Sequence, residues 1–174
     1  MKMLKKLLAV VLTGAMALTL FTACGGNAVN DKNIADALND MAKGSLATYT
    51  FKSGTDEQAM AKAIAALSES DRHKKGDGGN KFSGPVMEIL GINKGGENET
   101  KRFVWCGAVV ADEIGATGQA YHAMNTILNQ NAANAVPGKK LADIRHIGTA
   151  LGTLTIHGKQ TTVRFIVVTA DVVN

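Results

Sequence analysis

The sequence predicts a single α+β domain, with helices packed on an antiparallel sheet that ends in a C-terminal hairpin. Three observations predict it. A length of 174 residues suits one domain, with little room for a second. Apolar residues recur at helical spacing in several segments between residues 31 and 129. Beyond Lys140 the pattern changes to runs rich in Thr, Val and Ile, which favour strands. Helices first and strands last is the order of an α+β chain. Hydrophobic residues at 45% and charged residues at 20% are globular values and exclude wholesale disorder. With five Phe, one Trp and two Tyr, the core must rest on aliphatic side chains.

The elements follow in order. Asn30 or Asp31 can cap a first helix, with Ile34, Ala35, Leu38 and Met41 on one face and Gly44 as its stop. Ala47 to Lys52 alternates weakly, as a short strand or a loop would. Thr55 opens a second helix. Thr55 and Gln58 have capping-box spacing, and Asp56 and Glu57 suit the positive end of the helix dipole. Met60, Ala63, Ile64 and Leu67 form its expected buried stripe.

Ser68 to Lys81 is polar and Gly-rich and reads as a loop. Ser83-Gly84-Pro85 can open a short helix, and Gly91 can close it. Asn93 to Thr100 is a second polar loop. Phe103 to Ala111 is continuously apolar, and its period suits a strand or a buried helix equally. Gln119 to Asn129 reads as a helix with Ala120, Met124, Ile127 and Leu128 inward. Asn131 to Lys140 reads as a loop. Ile144 to Ile156 and Thr161 to Val173 are then two strands joined at His157-Gly158-Lys159-Gln160.

The first residues carry a separate signal. Lys2, Lys5 and Lys6 precede an apolar stretch that runs to Phe21, and small residues follow. This is the pattern of a secretory signal peptide. Phe21-Thr22-Ala23-Cys24 resembles the lipobox of bacterial lipoproteins, in which an apolar residue and two small ones precede an invariant Cys. The resemblance implies cleavage after residue 23, a diacylglyceryl thioether on Cys24, and a tether over residues 24 to 30. It implies a protein outside the cytoplasm, anchored to a bacterial cell membrane by two or three acyl chains. Cys106 then has no intrachain partner. Its apolar surroundings suit a buried structural thiol.

The leader also accounts for the charge. The whole chain has 19 basic and 15 acidic side chains, a formal +4. Three of the basic ones are in the leader, which has no acid, so 16 face 15 from Cys24 onward. A balance near zero removes nucleic acid as a partner. The sequence has no Gly-Lys-Ser/Thr phosphate loop, no Gly-x-Ser-x-Gly elbow and no Cys-x-x-Cys pair. Nucleotide hydrolysis, α/β-hydrolase chemistry and thioredoxin-like redox are therefore unsupported.

Residues 67 to 171 resemble the CAP superfamily, which includes cysteine-rich secretory proteins, antigen-five allergens and many bacterial secreted proteins. The features that carry the resemblance stand in the family's order. His73 is followed by Asp77-Gly78, and Val86 to Gly91 supplies a short helix. Gly96-Glu97-Asn98 comes next. His122 is followed by Asn125, Ile127 and Leu128. Ile147-Gly148 opens a strand, and Val163 to Val168 supplies the last one. The chain departs from the family at Ala116, where a Trp is usual, and at Gln119-Ala120-Tyr121, where Ser-Pro-Gly is usual.

The resemblance implies an α-β-α sandwich with a cleft formed by two His and two acidic residues. His73, Glu97 and His122 would be three of them, with Glu113 as the fourth and Asp112 beside it. Such a set could hold a divalent metal such as zinc with an open position. The family is better known for binding lipids, small molecules and proteins than for catalysis. A metal-assisted hydrolase or peptidase using Glu97 and Glu113 is the alternative, and a structural or adhesive lipoprotein of another α+β fold is the third. His146 and His157 read as structural.

Overall fold

The computed structural model describes residues 29–45, 47–73, 82–92, 100–112, 114–129, 136 and 138–174. Cys24 and its leader, Glu97 and Glu113 lie outside the described residues. The elements are α1 (Asp31–Gly44), β1 (Thr50–Ser53), α2 (Thr55–Ala66), α3 (Glu69–Arg72) and α4 (Gly84–Leu90). Then come β2 (Arg102–Val110), α5 (Ala116–Ala123), β3 (Lys140–Ile156) and β4 (Lys159–Val173). A π-helical turn, Met124–Leu128, continues α5. No helix among the described residues is long and apolar enough to cross a membrane.

The strands form one four-stranded sheet in the order β1-β3-β4-β2. The α+β class and the C-terminal hairpin are as the sequence predicts. The sheet is mixed, however, because β1 runs parallel to β3, with Thr50 beside Ile144 and Ser53 beside Ile147. The segment read as a short strand or a loop at Ala47 to Lys52 supplies this strand, but four residues with one buried side chain, Phe51, carry nothing that shows its parallel pairing. Phe103 to Ala111 resolves as strand, since its residues alternate between two buried faces.

Alternation along the central strands divides the core in two. Ile166, Val168 and Ala170 of β4 face α1 and α5, together with Phe103, Trp105 and Val109 of β2. Val163, Phe165 and Val167 face α2 and α4, together with Val104. A sheet buried on both faces reads as a continuous apolar run, which explains the ambiguity of β2 in sequence.

Local chemistry fixes the ends. Asn30 caps α1 by accepting from the Asn33 amide at 2.9 Å, and Asn33 returns the bond to the Asn30 amide. The capping box expected at Thr55 is not made: Gly54 is the cap residue and offers no side chain. Of the expected stripe of α2, Ile64 is buried and Met60 and Leu67 pack partly buried on the same cluster, while Ala63 is exposed and Glu57 and Ala61 are buried in addition. The cause is Gly148 on β3. A Cβ there would lie 1.9 Å from the Gln58 amide nitrogen, so the first turn of α2 rests directly on the strand backbone. Glu57 then points inward, where its Oε1 accepts from the Thr169 hydroxyl at 2.6 Å.

Ser68 to Lys81 is not wholly loop. Ser68 caps the four-residue helix α3 by accepting from the Asp71 amide. Arg72 at its end lays its guanidinium 5.0 Å from the Phe165 ring centre and donates to the carbonyls of Ala65 and Thr153 at 3.0 and 2.9 Å. Gly91 closes α4 in the left-handed conformation. The hairpin turn is tighter than expected, with only His157 and Gly158 between the strands, both at positive φ.

Among the described residues the outer edge of β3 beyond its pairing with Ser53 has no strand partner, and side chains cover it. Asp31 accepts from the Thr149 amide at 3.0 Å, Arg72 donates to the Thr153 carbonyl, and Glu69 accepts from the Thr155 amide at 2.9 Å. Charged side chains on a free edge oppose strand addition by another chain.

Candidate functional site

His73 ends α3 and is exposed. Its Nε2 lies 3.6 Å from Glu69 Oε1, one helical turn back. The Thr155 amide, then the Thr155 hydroxyl, and more weakly His73, hold the Glu69 carboxyl below the usual glutamate range, against a small opposing effect of burial. A lowered folded-state pKa stabilises the fold above the unfolded-state value, and that contribution is lost as pH falls through the folded value. We expect Glu69 to titrate below a glutamate in a short peptide when its carboxyl carbon is followed by NMR. Titration at or above the peptide value would remove the Thr155 contact.

His122 stands on the exposed side of α5, with its ring edge-on to Tyr121 at 6.0 Å. Its carbonyl accepts from the Thr126 hydroxyl at 2.6 Å. That bond accompanies the π-helical turn, in which Ile127 and Leu128 are both carried inward. α5 packs on the Trp105 face of the sheet. His73 follows Arg72, whose guanidinium packs on the Phe165 face. The two histidines named by the resemblance are thus carried on opposite faces of one sheet. The spacing of His73 and His122 in sequence could not reveal this, since it depends on which face each helix covers. Asp112 Oδ2 accepts from the Thr162 amide at 3.0 Å. Among the described residues, no three His, Cys, Asp or Glu side chains are grouped to hold a metal ion.

Cys106 lies on β2 against the second core cluster, and burial pushes its thiol up to about 12. A thiol so protonated is a poor nucleophile near neutral pH.

The buried polar groups lie elsewhere, and the sequence reading passed over them. Arg164 on β4 is buried in the α1 layer. Its Nε donates to Gln119 Oε1 at 2.7 Å, Nη1 to the Thr149 hydroxyl at 3.0 Å and Nη2 to the Val29 carbonyl at 3.0 Å. Asp31 accepts from the Thr149 amide and hydroxyl and from the Gln58 amide group. Burial lowers the Arg164 pKa, and the Asp31 carboxylate draws it back. This network ties α1, α2, α5, β3 and β4 together. Each guanidinium nitrogen has an acceptor, which is how a structural arginine is usually satisfied.

Arg145 on β3 is different. It is 9% exposed, with its guanidinium carbon 4.6 Å from the Tyr49 ring centre and 5.9 Å from that of Trp105. Its Nη1 is buried without a hydrogen-bond partner, and so is the Trp105 Nε1. Burial lowers the Arg145 pKa, while Tyr49 and Asp143 oppose the shift. Phe51 packs edge-on to Tyr49, and Phe103 to Trp105, at 5.7 and 4.8 Å. An Arg inside an apolar strand pattern, as at 145 and 164, is the sequence signal that could have found both clusters.

The fold and its clusters define an α+β domain with a helix layer on each face of a mixed sheet and two buried arginine centres. No family model matches the chain, and no curated protein or solved structure shows significant similarity to it.

Proposed function

We propose that this chain is a bacterial lipoprotein held outside the cytoplasm through Cys24, and that its α+β domain is a ligand-binding domain of CAP type. The observation that carries the anchor is the run of Lys2, Lys5 and Lys6, an apolar stretch, and then Phe21-Thr22-Ala23-Cys24. Basic, apolar and small residues in that order are what export and lipid transfer require. The CAP likeness draws support from the order of elements: a helix, a short helix closed at Gly91, the helix bearing His122, and a terminal hairpin.

Binding is favoured over metal-assisted hydrolysis by a specific observation. Hydrolysis through His73, Glu97, His122 and Glu113 needs these side chains within a few ångströms of one ion. The elements carrying His73 and His122 lie on opposite faces of the sheet, which counts equally against a metal cleft in the binding reading, so binding has to rest on other residues. The Arg145 Nη1, buried without a hydrogen-bond acceptor, instead suits a domain that receives a ligand.

Cys24→Ala tests the anchor. The substituted chain is expected to leave the membrane fraction and to take up no labelled fatty acid. Retention in the membrane with undiminished label would overturn the anchor.

A further inference from the structure

We propose that Arg145 and Trp105 form a buried binding site for a small monocarboxylate, covered by Tyr49. The inference rests on the binding half of the reading above and not on the anchor.

Of the arginines drawn into the body of the domain, Arg164 is satisfied at every guanidinium nitrogen, and Arg72 makes main-chain bonds through its Nη atoms while its Nε stays buried without a partner. Arg72 donates to main-chain carbonyls of α2 and β3, and Arg164 to Gln119, Thr149 and Val29. Arg145 makes ring contacts with Tyr49 and Trp105 and a Coulombic contact with Asp143, but among the described residues its buried Nη1 has no hydrogen-bond acceptor. Cation–π contact offsets part of the cost of burying a guanidinium. It leaves the Nη1 protons without an acceptor. Beside it the indole Nε1 of Trp105, 3% exposed, is also without one. Buried donors in native proteins are nearly always paired, so two unpaired neighbours call for an acceptor that comes from outside.

The backbone places this arginine deliberately. Lys140 and Leu141 pair with Val173 and Val172, but Arg145 pairs with Ala170. Three residues of β3 therefore face a single residue, Asp171, of β4. In an uninterrupted register Asp143 would stand opposite Ala170 on the inner face. The bulge leaves Asp143 exposed and sets Arg145 in that inner place. Bulges re-aim side chains in this way and recur beside binding sites.

The chemistry of the ligand follows from the donors. A cationic Nη1 and a neutral indole N–H on side chains in contact are both donors of the kind a carboxylate accepts from. One guanidinium, which the Asp143 carboxylate already balances in part, suits a ligand carrying no more than one negative charge. Tyr49, Phe51, Phe103 and Trp105 supply apolar walls, which suit an acid with an apolar or aromatic body. Tyr49 is half-buried on the edge of the sheet and is the side chain that must swing to admit it.

Trp105 is the only tryptophan in the chain, so its emission reports this site directly. The full chain in detergent would be titrated with sodium benzoate and sodium acetate, with benzamide and sodium chloride as neutral and ionic controls. A saturable change in Trp105 emission is expected with the carboxylates and not with the controls. Arg145→Met should weaken benzoate binding about 10- to 100-fold, the loss expected for one charge-assisted bond. Arg145→Lys, which keeps the charge without the fork, should bind between the two. Thermal melts are the second measurement. Benzoate should raise the midpoint of the wild-type chain and leave that of Arg145→Met unchanged, while Arg145→Met alone should melt no lower than wild type, since it removes a buried charge whose Nη1 lacks a hydrogen-bond acceptor. Equal responses from wild type and Arg145→Met, or a carboxylate response that sodium chloride reproduces, would overturn the site. Cys24→Ala must titrate like wild type, so a failure of the anchor and a failure of this site give different results.

Discussion

Arg164→Ala is expected to cost about 3–5 kcal/mol of folding stability, the range found when one partner of a buried charged network is removed. Arg164 is 6% exposed, and its guanidinium serves three acceptors on three different segments. Its loss strands Gln119 Oε1, which is buried at the centre of α5, and leaves the Asp31 carboxylate without the neighbouring positive charge. Gln119 keeps its bond to the Ile114 carbonyl at 2.6 Å, so one side of that amide survives. Chemical denaturation followed through Trp105 emission measures the loss. A cost below about 1 kcal/mol, the size of an ordinary hydrogen bond, would mean that the network is dispensable. A double-mutant cycle with Gln119→Ala should show coupling, because the two side chains share a bond.

Gly148→Ala is expected to destabilise by about 3 kcal/mol or more, beyond the usual range for an added methyl in a core. The reason is what the methyl would meet. Its carbon would fall 1.9 Å from the Gln58 amide nitrogen and 2.1 Å from the Glu57 carbonyl carbon, and neither can rotate away. At Gly107 the nearest obstacle is Cγ1 of the Ile127 side chain at 2.8 Å, a side chain and not the backbone of a packed helix. Relief at Gly148 requires α2 to lift from β3. That breaks the Glu57–Thr169 bond and loosens Ala61 and Ile64. Gly107→Ala should therefore cost clearly less than Gly148→Ala in the same denaturation assay. Equal costs would show that α2 is free to shift.

These two positions also mark where the sequence was legible. Helix boundaries were readable where capping residues speak locally, as at Asn30 and at Ser83 to Gly91. The hairpin was readable from His157-Gly158. The burial of Glu57 and Ala61 on α2 was not, because it follows from a contact between Gly148 and Gln58, ninety residues apart in the chain. The start of β3 at Lys140 was hidden by the bulge, which breaks the alternation before Arg145. His73 and His122 could be named as residues of interest, but their separation depends on which face of the sheet each helix covers. The arginine centres were overlooked for a related reason. A charge in an apolar strand carries no periodicity of its own, and its partners come from two or three separate segments.

The Arg164 bond to the Val29 carbonyl has a mechanical consequence. It fastens the chain to the domain five residues after Cys24. Five residues, fully stretched, span about 17 Å. A domain anchored through Cys24 would therefore be leashed closely to the bilayer, unable to swing far from it. Val29 and the start of α1 would form its pivot. Ligands would have to be taken from the thin layer of solvent next to the membrane surface, and cutting the Arg164 clamp would lengthen the leash as well as loosen the core.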